Sequence, residues 1–170
     1  MAAAIRIWAI GGVLLVLAKA VVGLMPLVTE ALGAPLSTGL WLATGAWVAF
    51  MIYAEAYRGF HLRFNPCVVA RAHWLAENRR PWLVLIAPFF AMGLLYGSKR
   101  RLITSWVITI GVVILVILVG TLDQPYRGII DLGVVIGLGL GGASLLGHAY
   151  RAERHGTTVD PQLPPDPHGG

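Results

Sequence analysis

Four long apolar runs organise the chain, from Ile7 to about Met25, Leu36 to Ala54, Leu102 to Leu122 and Gly128 to Gly147. Each holds about 19–21 residues, enough for a helix to cross a ~30 Å hydrocarbon core at ~1.5 Å per residue. Pro26 and Pro35 bracket the first connection and Asp123-Gln124-Pro125 the last, so both turns carry helix breakers. A fifth apolar run, Trp82–Tyr96, has only 15 residues and is interrupted by Pro88. It lies between Arg79-Arg80-Pro81 and Lys99-Arg100-Arg101. A span with basic clusters at both ends puts one of them on the wrong face, so residues 82–96 read as a re-entrant or short hairpin.

The polar stretch between the second and third spans predicts one more helix. Asn65-Pro66 is an N-cap followed by a first-turn proline, and Val68, Val69, Ala72, Leu75 and Ala76 recur at helical spacing. Arg79 and Arg80 complement the end of its dipole and Pro81 stops it. This predicts a short amphipathic helix on the inner leaflet. Arg71, Trp74, Arg79, Arg80, Lys99, Arg100 and Arg101 then form a surface for anionic lipid or for a partner subunit.

Composition sets the solvent. Apolar residues make up 57% of the 170, charged residues 12%, and the mean hydropathy is +0.74. That excludes a water-soluble enzyme domain and a disordered chain, and implies an integral membrane protein. The net charge of +5 is a topological signal and not one for nucleic acid. With four spans, eleven bases (Arg6, Arg58, Arg63, Arg71, Arg79, Arg80, Lys99, Arg100, Arg101, Arg151, Arg154) fall on one side. Only Arg127 falls opposite, and Lys19 lies inside the first span. A fifth span divides the same residues seven against five. Four spans with both termini cytoplasmic therefore fit the positive-inside rule.

Residues 1–6, the first apolar run and Ala18-Lys19-Ala20 also match a signal peptide. Apolar sequence continues past that site, so the segment reads as an uncleaved anchor helix. The expected organisation is a helical membrane domain over 1–155 and a disordered Pro/Gly-rich cytoplasmic tail over 156–170, with Pro161, Pro164, Pro165 and Pro167.

Within the spans, Gly133, Gly137 and Gly141 repeat every fourth residue, a GxxxG seam that admits a close helix neighbour from this chain, a second copy or another subunit. Lys19 and Asp131 lie at comparable depth in the outer half and can pair, while Arg127 stands four residues from both Asp123 and Asp131. These four form an expected intramembrane charge cluster. Near the inner boundary, Glu55 is placed to bond His148, Arg58 or Arg101. No cofactor or metal is expected. His61 and His73 fall in the cytoplasmic segment, the lone Cys67 makes no multi-cysteine site, and neither a phosphate loop nor a nucleophile elbow occurs.

Two resemblances accompany these patterns. Glu55-Ala-Tyr-Arg-Gly-Phe, Ala87-Pro-Phe-Phe-Ala-Met-Gly93, Lys99-Arg-Arg-Leu-Ile103 and Leu122-Asp-Gln-Pro-Tyr-Arg-Gly128 resemble a group of uncharacterised proteobacterial inner-membrane proteins over residues 50–145. That resemblance implies a bacterial inner membrane and no particular activity. Arg71-Ala-His73, Glu77-Asn78 and Pro81 resemble the cytoplasmic motif of the membrane-associated glutathione and eicosanoid enzymes. There the motif follows the first span, carries an additional Asn and is one residue longer.

Together these features lead to a non-enzymatic accessory, scaffold or assembly subunit of a larger membrane complex, partnered by other membrane subunits or by itself. The alternatives are a small channel or carrier using residues 82–96 and the buried charges, and a glutathione- or lipid-linked enzyme using Arg71, His73 and Glu77.

Overall fold

Long apolar runs without strand-like alternation fold as helices. The computed structural model describes residues 1–78, 80–157 and 159–164, and all regular structure among them is helical. In chain order these are α1 (Ala2–Gly33), α2 (Thr38–Met51), a π-helical stretch (Ile52–Phe64), α3 (Asn65–Asn78), α4 (Pro81–Leu85), α5 (Ala87–Ala91), α6 (Lys99–Gly120) and α7 (Tyr126–His155). Four helices are long and apolar enough to cross a membrane: α1, the continuous 41-residue helix Thr38–Asn78, α6 and α7. That is the architecture of a multi-pass membrane protein.

α1 and α7 run antiparallel. Arg6 near the start of α1 meets Glu153 near the end of α7, and Leu27 meets Gln124 at the opposite end. The helix Thr38–Asn78 runs parallel to α7, with Trp47 beside Ile130 and His61 beside Ser144. The starts of α1 and α3's far end thus gather with the end of α7, so the two termini of the bundle lie together. The buried core is concentrated there, in Val13, Val68, Leu75, Leu83, Phe90 and Leu145. Alanines such as Ala9, Ala72 and Ala87 fill the remaining contacts, which lets these backbones approach closely.

Two expected helix boundaries are absent. Pro26 lies inside α1 instead of ending it. Pro26 costs the helix one bond, to Val22 O four residues back; beyond it the Thr29 hydroxyl donates to Pro26 O at 2.9 Å and Gln124 Nε2 to Leu27 O at 3.1 Å. Asn65 does not cap a new helix either. It continues the second span with helical φ −61° and ψ −45°, and its N–H donates to Phe60 O, five residues back. Pro66 has no N–H and its ring presses on the turn before it; the wider π turn ahead of it accommodates that ring without a break. α3 is consequently an extension of the second long helix and not a detached amphipathic helix.

Residues 82–96 form two short helices, α4 and α5, with a turn between them at Ile86. α5 seats on α1 where Gly12 leaves room: a Cβ there would collide with the Pro88 ring. Ala87, Phe90 and Ala91 are fully buried in this contact with α1 and α3, and Leu83 of α4 is fully buried in the same core. α6 is the opposite case, a 22-residue helix in which Ser105 and Val119 are the buried residues.

Candidate functional site

The face of α7 that carries glycines receives side chains from the second long helix. Gly133, Gly137 and Gly141 are buried, and a Cβ on each would collide with Trp47 and Met51, with the Glu55 carboxylate, and with the Phe60 ring respectively. Trp47 Nε1 donates to Ile130 O at 3.2 Å and Asn65 Nδ2 donates to Gly141 O at 3.0 Å. Phe60 and Asn65, five residues apart, converge on the same glycine because a π turn brings i and i+5 onto one side. The neighbour of these glycines is therefore in the same chain. Gly139, outside the contact, faces open space.

This interface also brings ionisable groups into the bundle. Asp131 is buried, with Oδ2 4.0 Å from Arg127 Nε, and neither atom has a hydrogen-bond partner. The expected Lys19–Asp131 pair is absent. α1 buries Val13 and Leu17, which leaves Lys19 outward and exposed, and among the described residues it makes no ion pair. Asp123 is likewise exposed in the turn before α7. Of the expected four-residue cluster the structure joins only Arg127 and Asp131. Glu55 lies with this pair in a crevice of about 310 Å³, walled by Leu24, Val116 and Val119. Its Oε2 is buried without a partner.

Glu55 does not bond His148. His148 Nδ1 lies 2.9 Å from Ser144 O, and its ring meets His61 edge-on with centroids 4.7 Å apart. His61 Nδ1 in turn lies 2.7 Å from Ser144 Oγ. His61 belongs to the π-helical stretch inside the second long helix. Sequence reading missed this His–Ser–His group because it depends on the register of two helices about 80 residues apart in sequence.

Arg71 was expected to face the leaflet and is instead fully buried. Its guanidinium lies 4.2 Å from the Phe90 ring centroid and donates to four backbone carbonyls. Nε reaches Phe90 O at 2.7 Å, Nη1 reaches Pro161 O at 2.9 Å, and Nη2 reaches Leu95 O and Tyr96 O at 2.9 and 2.6 Å. Leu95 O and Tyr96 O after α5 and Pro161 O in the tail have no helix to bond, and the five-donor fork of one arginine gathers them with Phe90 O, which also accepts from Gly93 N. His73, also buried, places Nδ1 3.0 Å from Val69 O, and Glu77 is exposed. Arg71, His73 and Glu77 thus have separate neighbours and share no ligand space. Among the described residues no three His, Cys, Asp or Glu side chains gather at metal-binding distance.

Comparisons with known protein families, with curated proteins and with solved structures match nothing. The geometry therefore carries the functional reading alone.

The remaining bases crowd the end of the bundle that holds the termini. Trp74 stacks on Tyr96 and lies tilted against Phe90, and Arg80 lies over the Tyr96 ring with Nη1 2.6 Å from its hydroxyl. Arg79 lies outside the described residues. Lys99, Arg100 and Arg101 form the first turn of α6, behind a Ser98 cap that accepts from Arg101 N. Of the tail, residues 159–164 run without regular structure against this same end. Gln162 O accepts from Ser98 N at 2.9 Å, and Leu163 packs on the core. Thr158 and residues 165–170 lie outside the described residues.

Proposed function

We propose that the chain is a non-enzymatic accessory, scaffold or assembly subunit of a larger complex in the bacterial inner membrane, with both termini cytoplasmic. α6 carries this reading. Ile103, Val107, Ile110, Ile114, Ile117 and Leu118 are each more than half exposed, distributed around a helix that barely touches its own bundle. A helix so weakly held by its own chain is suited to pack against another. The glycine face of α7, by contrast, is filled internally, and α1, α7 and the second long helix form the body from which α6 is presented.

The test is site-specific cross-linking in native membranes. Cys67 is the only cysteine, so a Cys67→Ala background accepts single cysteines, Leu118→Cys on α6 and Val22→Cys on the exposed face of α1. A discrete adduct from Leu118→Cys and none from Val22→Cys supports the reading. No adduct from either, with a monomer after mild-detergent extraction, refutes it.

A second reading, a small cation or proton carrier, is favoured by one observation: Glu55 and Asp131 each keep a buried carboxylate oxygen without a partner beside one crevice. Ionisable groups in that setting mark ion pathways in membrane proteins. Residues 82–96 contribute nothing to the crevice wall, so the pathway in this reading runs along α7. Proteoliposomes that show ion flux, lost in Glu55→Gln, favour it over assembly; flux equal to that of empty vesicles removes it.

A further inference from the structure

A second cavity, of about 660 Å³, opens between the end of the π-helical stretch and the start of α6. Its chemistry differs from that of the apolar crevice. Arg63 stands on one wall, Arg100 and Arg101 on the other, with Ser98, Thr104 and the tail residue Gln162 between them. No carboxylate lines it. The nearest one along the tail, Asp160, accepts from the Gln162 N–H through Oδ1. Ion pairs among the described residues occupy Arg6, His73 and Arg127, so none of the three cavity arginines has an acidic partner.

The local sequence also violates a helix rule at this spot. Lys99, Arg100 and Arg101 fill the first turn of α6 and no acid accompanies them. The N-terminus of a helix carries partial positive charge and disfavours cations. Three consecutive bases there, faced by Arg63 across the cavity, leave an uncompensated positive potential. Arg101 Nη2 lies 3.4 Å from Met92 O and its Nε is buried beside Gly93, so Arg63 and Arg100, both exposed, are the freer donors. Arginine forks, hydroxyls and the dipole end of a helix are together the donor set that recognises phosphate. A cavity at the end of a spanning helix, with Leu62 and Val159 as apolar walls, suits a phosphate that carries acyl chains or one that arrives free.

We infer that the cavity bounded by Arg63, Arg100 and Arg101 is a binding site for a phosphate-bearing anion, at the end of the bundle that holds the termini. This site is independent of the assembly reading, since it involves the cavity wall of α6 and not its outward side chains. A bound phosphate neutralises the first turn of α6 and ties it to the second long helix, the contact that α6 otherwise lacks.

The test uses the full chain in detergent and in nanodiscs, with two probes: phosphatidylglycerol against phosphatidylcholine for the lipid source, and inorganic phosphate for the free one. Variants are the double substitution Arg63→Gln with Arg100→Gln, the conservative pair Arg63→Lys with Arg100→Lys, and a control of equal charge change, Arg151→Gln with Arg154→Gln. The expected result is preferential retention of phosphatidylglycerol, or saturable binding of phosphate, weakened about tenfold or more in the cavity variant. The lysine pair retains part of the binding and the control retains all of it. Lipid preference alone assigns the site to a headgroup, and phosphate binding alone assigns it to a soluble anion. Equal loss in the cavity variant and the control overturns the proposal, because general leaflet charge then explains the preference. Absence of both kinds of binding overturns it as well. Helical circular dichroism and a monodisperse elution profile, matched to the unsubstituted protein, establish that each variant is folded.

Discussion

Replacing Arg71 with Met is the sharpest perturbation of this fold. Methionine matches the aliphatic stem as far as the Nε position and loses four donations to backbone carbonyls at Phe90, Leu95, Tyr96 and Pro161. The bond to Phe90 O is buried, but that carbonyl still accepts from Gly93 N at 3.0 Å, so the loss costs about 1–2 kcal/mol. The other three carbonyls are partly reached by solvent, so water replaces the guanidinium and each loss costs about 0.5–1 kcal/mol. Removing a buried cation returns part of its desolvation cost, on the order of 1–2 kcal/mol. The net loss is about 2 kcal/mol, which for a chain of this length lowers Tm by about 4–8 °C.

The assay is thermal unfolding of detergent-solubilised protein followed by circular dichroism, with Arg71→Lys and Arg151→Met beside it. Lysine keeps the charge but offers three donors from one point, so Arg71→Lys falls between the unsubstituted protein and Arg71→Met. Arg151 is exposed, and Arg151→Met stays near the unsubstituted Tm. An Arg71→Met variant that melts with Arg151→Met refutes the clamp. So does a loss that appears only with anionic lipid present, since that pattern belongs to a headgroup contact.

Further expectations follow from the same contacts. Gly141→Val drives a side chain into the Phe60 ring and destabilises by about 1–3 kcal/mol, whereas Gly139→Val, in open space, leaves Tm unchanged; equal effects refute the glycine contact. Gly93 has φ +81° and a Cβ there would lie 2.5 Å from Arg101 Nε, so Gly93→Ala costs about 1 kcal/mol or more in the same melt; an unchanged Tm contradicts the strain. Glu153→Gln breaks the 2.8 Å contact with Arg6, but Glu153 is half exposed, so the loss stays below about 1 kcal/mol and vanishes in high salt. Lys19→Met leaves stability unchanged because the residue is exposed and unpaired among the described residues; a large loss restores the Lys19–Asp131 pair.

Where the sequence was legible, one dimension sufficed. The four spans follow from the length of apolar runs and the ~30 Å they must cover, and Gly133, Gly137 and Gly141 follow from a four-residue period on one helix. Helix ends were less legible. Pro26 and Asn65-Pro66 carry stop and start signals, yet α1 and the second long helix run through both. A proline frees one carbonyl, whereas a helix that stops in an apolar bundle leaves several bare, so α1 runs on past Pro26 and a π turn takes up Pro66. Charge partners were the least legible, since Lys19 and Asp131 share a depth but not a face.

The sequence by itself determined the solvent, the number of apolar crossings and the crowding of bases toward one end, because each depends only on composition and order along the chain. Tertiary structure alone decided what those residues touch. It turned Arg71 inward to hold four carbonyls, set Glu55 on Gly137, joined His61 to His148 through Ser144, and left α6 outside the bundle. The physical reason is register. A π-helical stretch of 13 residues shifts the phase of everything beyond it, so the face that Asn65, Arg71 and His73 present follows from backbone pairing that no local pattern in the sequence records.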